Sequence, residues 1–349
     1  MGLADTFLDE ALEHPVLAEQ FPTLQSTVDI DERALARLHR ALASGRADIT
    51  SYYNLAYGRV TDGVPGPQFR DLVVAISRKS GGAPVGLEMV SMRLHADASA
   101  KRQTLPEVRE AGRIVLESFE IHRKNGRTDR EDHELRVVAK AALAGPEGIP
   151  VTRRLCRSLM ESVSRREING YDHDDLMAGL LMVHPQEVLD ELFPNDAETC
   201  KASVRLLQGF LRFQKSVMDA VPDDVILSWC DCKPQLRYPL AASVVLLFKR
   251  SGQNEPHEWT PLAGKLLQRA PDPRLVLNEI VQRLHPMSWS GSLATKLEGR
   301  LRLLNKLPGS DAPHLAATMT QARVKLQKHI DAELRREQEE DRAQNNRFE

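Results

Sequence analysis

Residues 129–168 read DREDHELRVVAKAALAGPEGIPVTRRLCRSLMESVSRREI. On either side of Gly145-Pro146-Glu147-Gly148, apolar residues recur at helical spacing, as Leu155, Leu159 and Val163 do in the second segment. Residues four apart share a helix face, so each segment carries an apolar stripe between charged flanks. The break is short, and a short break sets neighbouring helices antiparallel. This stretch predicts a helical hairpin.

The pattern extends in both directions. Leu35, Leu38 and Leu42 form one stripe, and Phe69, Leu72, Val73 and Ile76 form another after Pro65 and Pro67. Leu87, Val90 and Leu94 follow Gly81-Gly82. Spacing predicts helices over 105–124, 129–144, 150–168, 173–183, 185–193 and 196–221. It predicts more over 223–230, 236–251, 257–270, 272–285, 290–306 and 312–345. No stretch alternates apolar and polar residues between hairpin turns, so no strand is expected. Asp129, Asp196, Asp223 and Asp272 stand where an N-cap is wanted. Pro150, Pro222, Pro256 and Pro271 fall at the breaks.

Possible helix pairs begin near 66, 105, 150, 196, 236 and 272. These steps match the roughly 40–47 residues of HEAT and armadillo repeats, in which each hairpin buries its apolar face by stacking on the next. The expected fold is all-α, a HEAT/armadillo-like α-solenoid of stacked antiparallel helical hairpins with a long C-terminal helix. An irregular helical bundle is the alternative. The expected division is an N-terminal helical cap over 1–62, a repeat array over 63–310, and a C-terminal helix with a charged tail over 311–349.

Composition agrees with a folded helical chain. Of 349 residues, 42 % are hydrophobic and only 5 % aromatic. With 47 Lys+Arg against 49 Asp+Glu the formal charge is −2, which is not the profile of a general polyanion binder. Charge nevertheless comes in blocks: net +5 over 93–166, −7 over 167–260, +7 over 261–329 and −3 over the last twenty residues. Such blocks either orient a partner or are simply solvated helix faces. The four cysteines, Cys156, Cys200, Cys230 and Cys232, are too few and too scattered for a disulfide scaffold, and Cys230-Asp231-Cys232 lacks a zinc-knuckle spacer. No secretory signal opens the sequence, and its longest apolar run, near Leu240 to Phe248, is too short to span a bilayer. A soluble cytoplasmic protein is expected.

Two basic clusters are the candidate contact residues. Arg153, Arg154 and Arg157 can share one helix face, with Arg165 and Arg166 further along, and Lys296, Arg300, Arg302 and Lys306 form the second cluster. Arrays of this kind neutralise phosphates, although they also flank the apolar stripe of any packed helix. Tyr171-Asp172-His173-Asp174-Asp175 mixes ligand types, but adjacent residues on a helix diverge, so a capped helix start is the expected role. There is no Walker loop, Rossmann glycine fingerprint, His-Glu-x-x-His or Gly-x-Ser-x-Gly, and Gly63-Val64-Pro65-Gly66-Pro67 reads as a connector. No catalytic, metal-binding or cofactor-binding residue is assigned.

Leu315, Met319, Ala322, Leu326, Ile330 and Leu334 recur at three or four, giving an apolar seam that stops before the charged run Arg335 to Asp341. The seam is expected to be buried, with Leu326 and Ile330 deepest. Residues 337–349 are expected to be dispensable for stability, with Phe348 as the anchor should they prove otherwise.

The stretch from Pro286 to Ala294 and the run Leu297-Glu298-Gly299-Arg300-Leu301-Arg302-Leu303-Leu304 resemble the closing helices of bacterial helical-repeat regions. So do Glu333 to Glu337, Glu339 to Arg342, the closing Arg347-Phe348-Glu349, and Tyr171 to Phe193 with its Leu-Leu-x-x-His-Pro step. The resemblance covers about the last half of the chain. It implies a HEAT-like C-terminal region of the kind found in large bacterial multidomain proteins, some of them associated with defence. It carries no catalytic residue, so no NTPase or effector activity transfers with it.

The function expected on these grounds is a non-catalytic scaffold or sensor-type module that binds another protein, in a bacterial defence or regulatory setting, without cofactor or membrane. The alternative is a nucleic-acid-binding repeat protein using Arg153–Arg166 and Lys296–Lys306.

Overall fold

A computed structural model of the chain describes residues 3–121, 128–169, 172–194, 196–209, 216–250, 257–286 and 289–345. It is predominantly helical and divides into two compact units, residues 1–206 and 207–349.

Unit 1 begins with α1 (Leu3–Glu13), α2 (Phe21–Gln25) and α3 (Glu32–Ser44). It continues with α4 (Gly66–Ser77), α5 (Gly82–Ser99), α6 (Pro106–Ser118) and α7 (Thr128–Ala142). Then come α8 (Ile149–Ser164), α9 (Asp174–Val183) and α10 (Pro185–Leu192), and α11 (Ala197–Gly209) carries the unit boundary. Unit 2 comprises α12 (Asp223–Cys232), α13 (Pro234–Val244), strands β1 (Phe248–Arg250) and β2 (His257–Trp259), α14 (Pro261–Arg269), α15 (Pro273–Gln282), α16 (Leu293–Leu304) and α17 (Ala316–Asn345).

Proline starts much of this. α4, α6, α8, α10, α13, α14 and α15 each hold Pro in the first two positions, where the missing N–H has no helical partner to lose. The turn before α8 needs its glycines. Gly145 takes φ +102°, and a Cβ on Gly148 would lie 2.0 Å from the Leu143 carbonyl oxygen. Asp196 and Asp272 accept N-capping bonds, from Thr199 and Arg274. Asp223 does not cap: extended Pro222 holds the N-cap position, and the Asp223 carboxylate instead meets Lys265 at 3.1 Å. The side chain of Asp129 and all of Pro256 lie outside the described residues.

From α4 to α10 the helices pack on their next-but-one neighbours: α4 on α6, α5 on α7, α6 on α8, α7 on α9 and α8 on α10. Within unit 2, α13 meets α15 and α15 meets α17. The stripes read from sequence are the contact faces. Leu38, Phe69, Leu72, Val73, Ile76, Leu87 and Val90 are all fully buried. Helix starts at Gly66, Pro106, Ile149, Ala197, Pro234 and Pro273 fall within two residues of the expected pair boundaries.

Four expected helices change. The one expected over 105–124 stops at Ser118, because Phe119 turns extended and buries its ring. The one expected over 196–221 is helical to Gly209, and Ser216 then caps a separate single turn, Val217–Ala220, with Asp219 completing a capping box. The largest correction lies at 236–251 and 257–270. The chain leaves α13 at Val244, and β1 pairs antiparallel with β2, Phe248 opposite Trp259. The apolar run there buries Val245 and Leu247 as extended chain, and an unbroken apolar run carries no period to distinguish strand from helix. Phe248 meets Trp259 edge to face at 5.7 Å, and the Trp259 indole donates to the Leu303 carbonyl at 2.7 Å, fixing the ribbon on α16.

Candidate functional site

The two basic clusters lie in different units, and each is partly committed to its own fold. In α8, Arg154 is half-buried and donates to the carbonyls of Leu116 and Phe119, closing the C-terminus of α6. Burial lowers its pKa from the ordinary arginine value. Arg157 pairs with Glu191 of α10 at 3.3 Å, and Arg165 pairs with Glu161 on its own helix at 3.7 Å. Arg153 is exposed and makes no ion pair among the described residues. In α16, the Arg300 guanidinium lies over the Phe248 ring at 4.1 Å, Lys296 is half-buried and Arg302 is exposed, as is Lys306 just beyond the helix. Both clusters therefore present fewer outward cations than their sequence suggests.

The segment ending in Asp175 does start a helix, as expected; its N-cap residue His173 makes no side-chain capping bond, Asp174 accepts from the Asp175 amide at 3.1 Å, and Tyr171 lies outside the described residues. Two amides in the first turn of α9, those of Asp175 and Leu176, donate to the carboxylate of Asp132 in α7 at 2.8 and 3.1 Å. Asp132 is 2 % exposed, and His173 approaches it at 3.5 Å. Asp175 in turn pairs with Arg136 at 2.7 Å. A carboxylate against free amides at a helix N-terminus is favoured by both hydrogen bonding and the helix dipole. Among the described residues no group of three His, Cys, Asp or Glu side chains could hold a metal ion. Burial pushes the Cys156 and Cys230 thiols up to about 12, which makes both poor nucleophiles.

A second pair of buried carboxylates lies between α5 and α7. Glu88 of α5 is 6 % exposed and Glu134 of α7 is 8 % exposed. One cation serves both: Arg130 donates to Glu88 Oε1 through Nη2 and to Glu134 Oε1 through Nε, the latter at 2.9 Å. The Tyr57 hydroxyl donates to the same Glu88 oxygen, and the Arg130 guanidinium lies 5.4 Å from the centre of the Tyr57 ring. Burial, reinforced by the charge of Glu88, pushes the Glu134 carboxyl up to about 7. His95 stacks on His133 beside the cluster, rings 6.3 Å apart. Sequence reasoning passed over all of these residues. One signal was available: Glu88 interrupts the apolar run from Val85 to Val90, where a charge inside a stripe needs a partner.

Unit 2 holds a cleft of about 510 Å³ beside the start of α15, lined by Pro271, Asp272, Arg274 and His314 among others. Its charges answer one another, since Asp272 caps α15 and approaches Arg274 Nε at 3.7 Å. At the other end of this unit, Glu337 of α17 accepts from Ser292 Oγ at 2.7 Å and from the amides of Leu293 and Ala294 at 2.7 and 3.2 Å. The outer part of the last helix thus caps α16.

No protein-family model matches the chain, and neither a characterised protein nor a solved structure is significantly similar to it. Among the described residues, no helix is long and apolar enough to cross a membrane.

Proposed function

We propose that this chain is a non-catalytic helical-repeat module that binds another protein. The observation that carries the reading is the next-but-one packing of consecutive helices, α4 on α6 through α8 on α10. Stacked hairpins are joined in this way, and arrays of them offer extended faces suited to protein partners. We further propose that the hairpins form a HEAT-like solenoid, which an elongated small-angle scattering profile would support and a compact one would refute. The resemblance of the C-terminal half to bacterial helical-repeat regions supplies the setting, a cytoplasmic regulatory or defence protein.

The nucleic-acid alternative is weakened where its residues have other work. Arg154 caps α6, Arg157 pairs with Glu191, and Arg300 covers Phe248. A titration of the full chain against duplex and single-stranded DNA and RNA at two salt concentrations decides between the readings. The protein-binding reading expects weak binding with a shallow salt slope, together with a stoichiometric protein partner on capture. A steep slope that diminishes in an Arg153→Ala/Arg302→Ala variant would establish the alternative.

A further inference from the structure

The connector between the first three helices and α4 packs on α5 through its 3-10 helix Ile49–Leu55, and polar contacts pin it to α5 at two further places. At one, Arg93, 6 % exposed, donates to the carbonyls of Thr61 and Val64 at 2.6 and 3.2 Å. At the other, Tyr57 reaches Glu88 beneath Arg130. The first pin joins a cation to neutral carbonyls. The second places two buried carboxylates on a single cation, so its charge depends on whether one of them holds a proton.

We propose that Tyr57, Glu88, Arg130 and Glu134 form a proton-operated clasp. It holds the connector against α5 and α7 while the two carboxylates share one negative charge, and it loosens once both are ionised. With one proton present, the guanidinium balances the remaining charge and the cluster is neutral. With none, an excess negative charge sits in a buried site, which is costly. Arg130 is already 56 % exposed at its side chain, so the excess is relieved when Glu134 and Arg130 turn together toward water. Tyr57 then loses the guanidinium from its ring and is left with its bond to Glu88 alone, so this pin weakens while the Arg93 pin and the buried packing of Tyr52 and Leu55 stay as they are.

The surrounding charges leave that balance in place. Glu131, the next acid on α7, adds negative charge near Glu134 and so favours the proton. The opposite side of α7 turns Asp132 and Arg136 toward His173 and Asp175 of α9. α6 meets α7 where Gly112 faces Val138 and Ala142, an apolar contact. Of the nearby groups, His95 and His133 stack on one another between α5 and α7, and the test must separate this pair from Glu134.

The experiment uses the full chain with carboxyl-¹³C glutamate. The Glu134 carboxyl resonance, assigned by its absence in Glu134→Gln, is followed by NMR from pH 4 to 9. Hydrogen exchange of the connector amides is measured at pH 6 and 8.5 after correction for intrinsic rates. A Glu134 midpoint near 7 and a roughly tenfold loss of connector protection at the higher pH are expected, a pKa unit being a factor of ten. In Glu134→Gln the protection should be independent of pH. In Glu88→Gln, which keeps the Glu134 carboxyl, the midpoint should move down. A midpoint in the ordinary glutamate range overturns the proposal. So does a protection loss that persists in Glu134→Gln, because a group other than Glu134 would then be its source.

Discussion

Glu134 in unit 1 and Glu337 in unit 2 are the same residue type held in opposite states. Glu134 is buried beside another carboxylate and is pushed up to about 7. Glu337 faces a hydroxyl and two free amides at the start of α16, and these bonds hold its carboxyl below the usual glutamate value. Desolvation favours the neutral acid, whereas donors at a helix N-terminus favour the anion. The two units therefore respond to protons in opposite senses. Unit 2 adds a second acid-sensitive contact, in which His285 lies 5.0 Å from His329 of α17. Burial first, and then the charges of His329 and Lys325, lower the His285 pKa.

The largest expected effect tests whether the units stand apart energetically. Ile330 is 1 % exposed in the seam of α17. Ile330→Asp buries an unpaired charge and deletes a core side chain, at a cost of about 3–5 kcal/mol. Hydrogen exchange should show protection lost in α15–α17 and retained in α5 and α7. Simultaneous loss in all of them would make the comparison one of two faces of a single cooperative body.

Next in size is the pH response of the clasp. Glu134 is raised from its ordinary 4.5 to about 7, so the folded chain binds an extra proton between those values. Stability from this site therefore falls as pH rises through that window, and the loss is complete above it. Glu134→Gln should stabilise unit 1 by about 1–2 kcal/mol at pH 8, after allowance for screening by water. Its effect at pH 4 should be near zero. Chemical denaturation at the two pH values measures both.

Arg154→Ala should follow at about 1–2 kcal/mol, since it removes the guanidinium donor from the Leu116 and Phe119 carbonyls and leaves Leu116 with the Phe119 amide alone. Arg153→Ala, four residues before Arg157 on the same helix, should stay within about 0.5 kcal/mol, as exposed surface changes do. Denaturation midpoints of the pair measure how much of that basic cluster is structural.

That pair also marks what the sequence could disclose. The apolar stripes, proline starts and pair boundaries were legible because each follows a local rule of spacing or backbone geometry. Leu326 and Ile330 were placed in the core of α17 by period alone, and both are 1 % exposed. Leu334, which continues the same period, is 37 % exposed, because the seam outruns the surface it packs on. The β1–β2 ribbon was hidden by an aperiodic apolar run. The polar contacts were hidden for a different reason: Asp132 reaches α9 43 residues away and Glu337 reaches α16 44 residues away. No local pattern announces a cap donated from another helix, and the same distance effect turned Arg154 inward.

The smallest effect concerns the tail, where the sequence alone suggested that removal of 337–349 would be neutral. Because Glu337 caps α16, truncations after 336 and after 337 should differ. Loss of 338–349 removes described side chains that are exposed and should leave the melting temperature unchanged; residues 346–349, Phe348 among them, lie outside the described residues. Loss of Glu337 as well removes an anion from a helix N-terminus and should lower the melting of unit 2 measurably at pH 7. Since the Glu337 pKa is depressed, its contribution is present above the ordinary glutamate value and disappears as pH falls through the folded one, so the two truncations should converge in acid. His285, also depressed, moves the same way: its contribution is present above the ordinary histidine value of 6.5 and is lost as pH falls through the folded one. Acid should therefore weaken both full-length and truncated unit 2 while it tightens the clasp in unit 1. Two truncations that melt alike at pH 7 would show that α16 is held without its borrowed cap, and the acid sensitivity of unit 2 would then rest on His285.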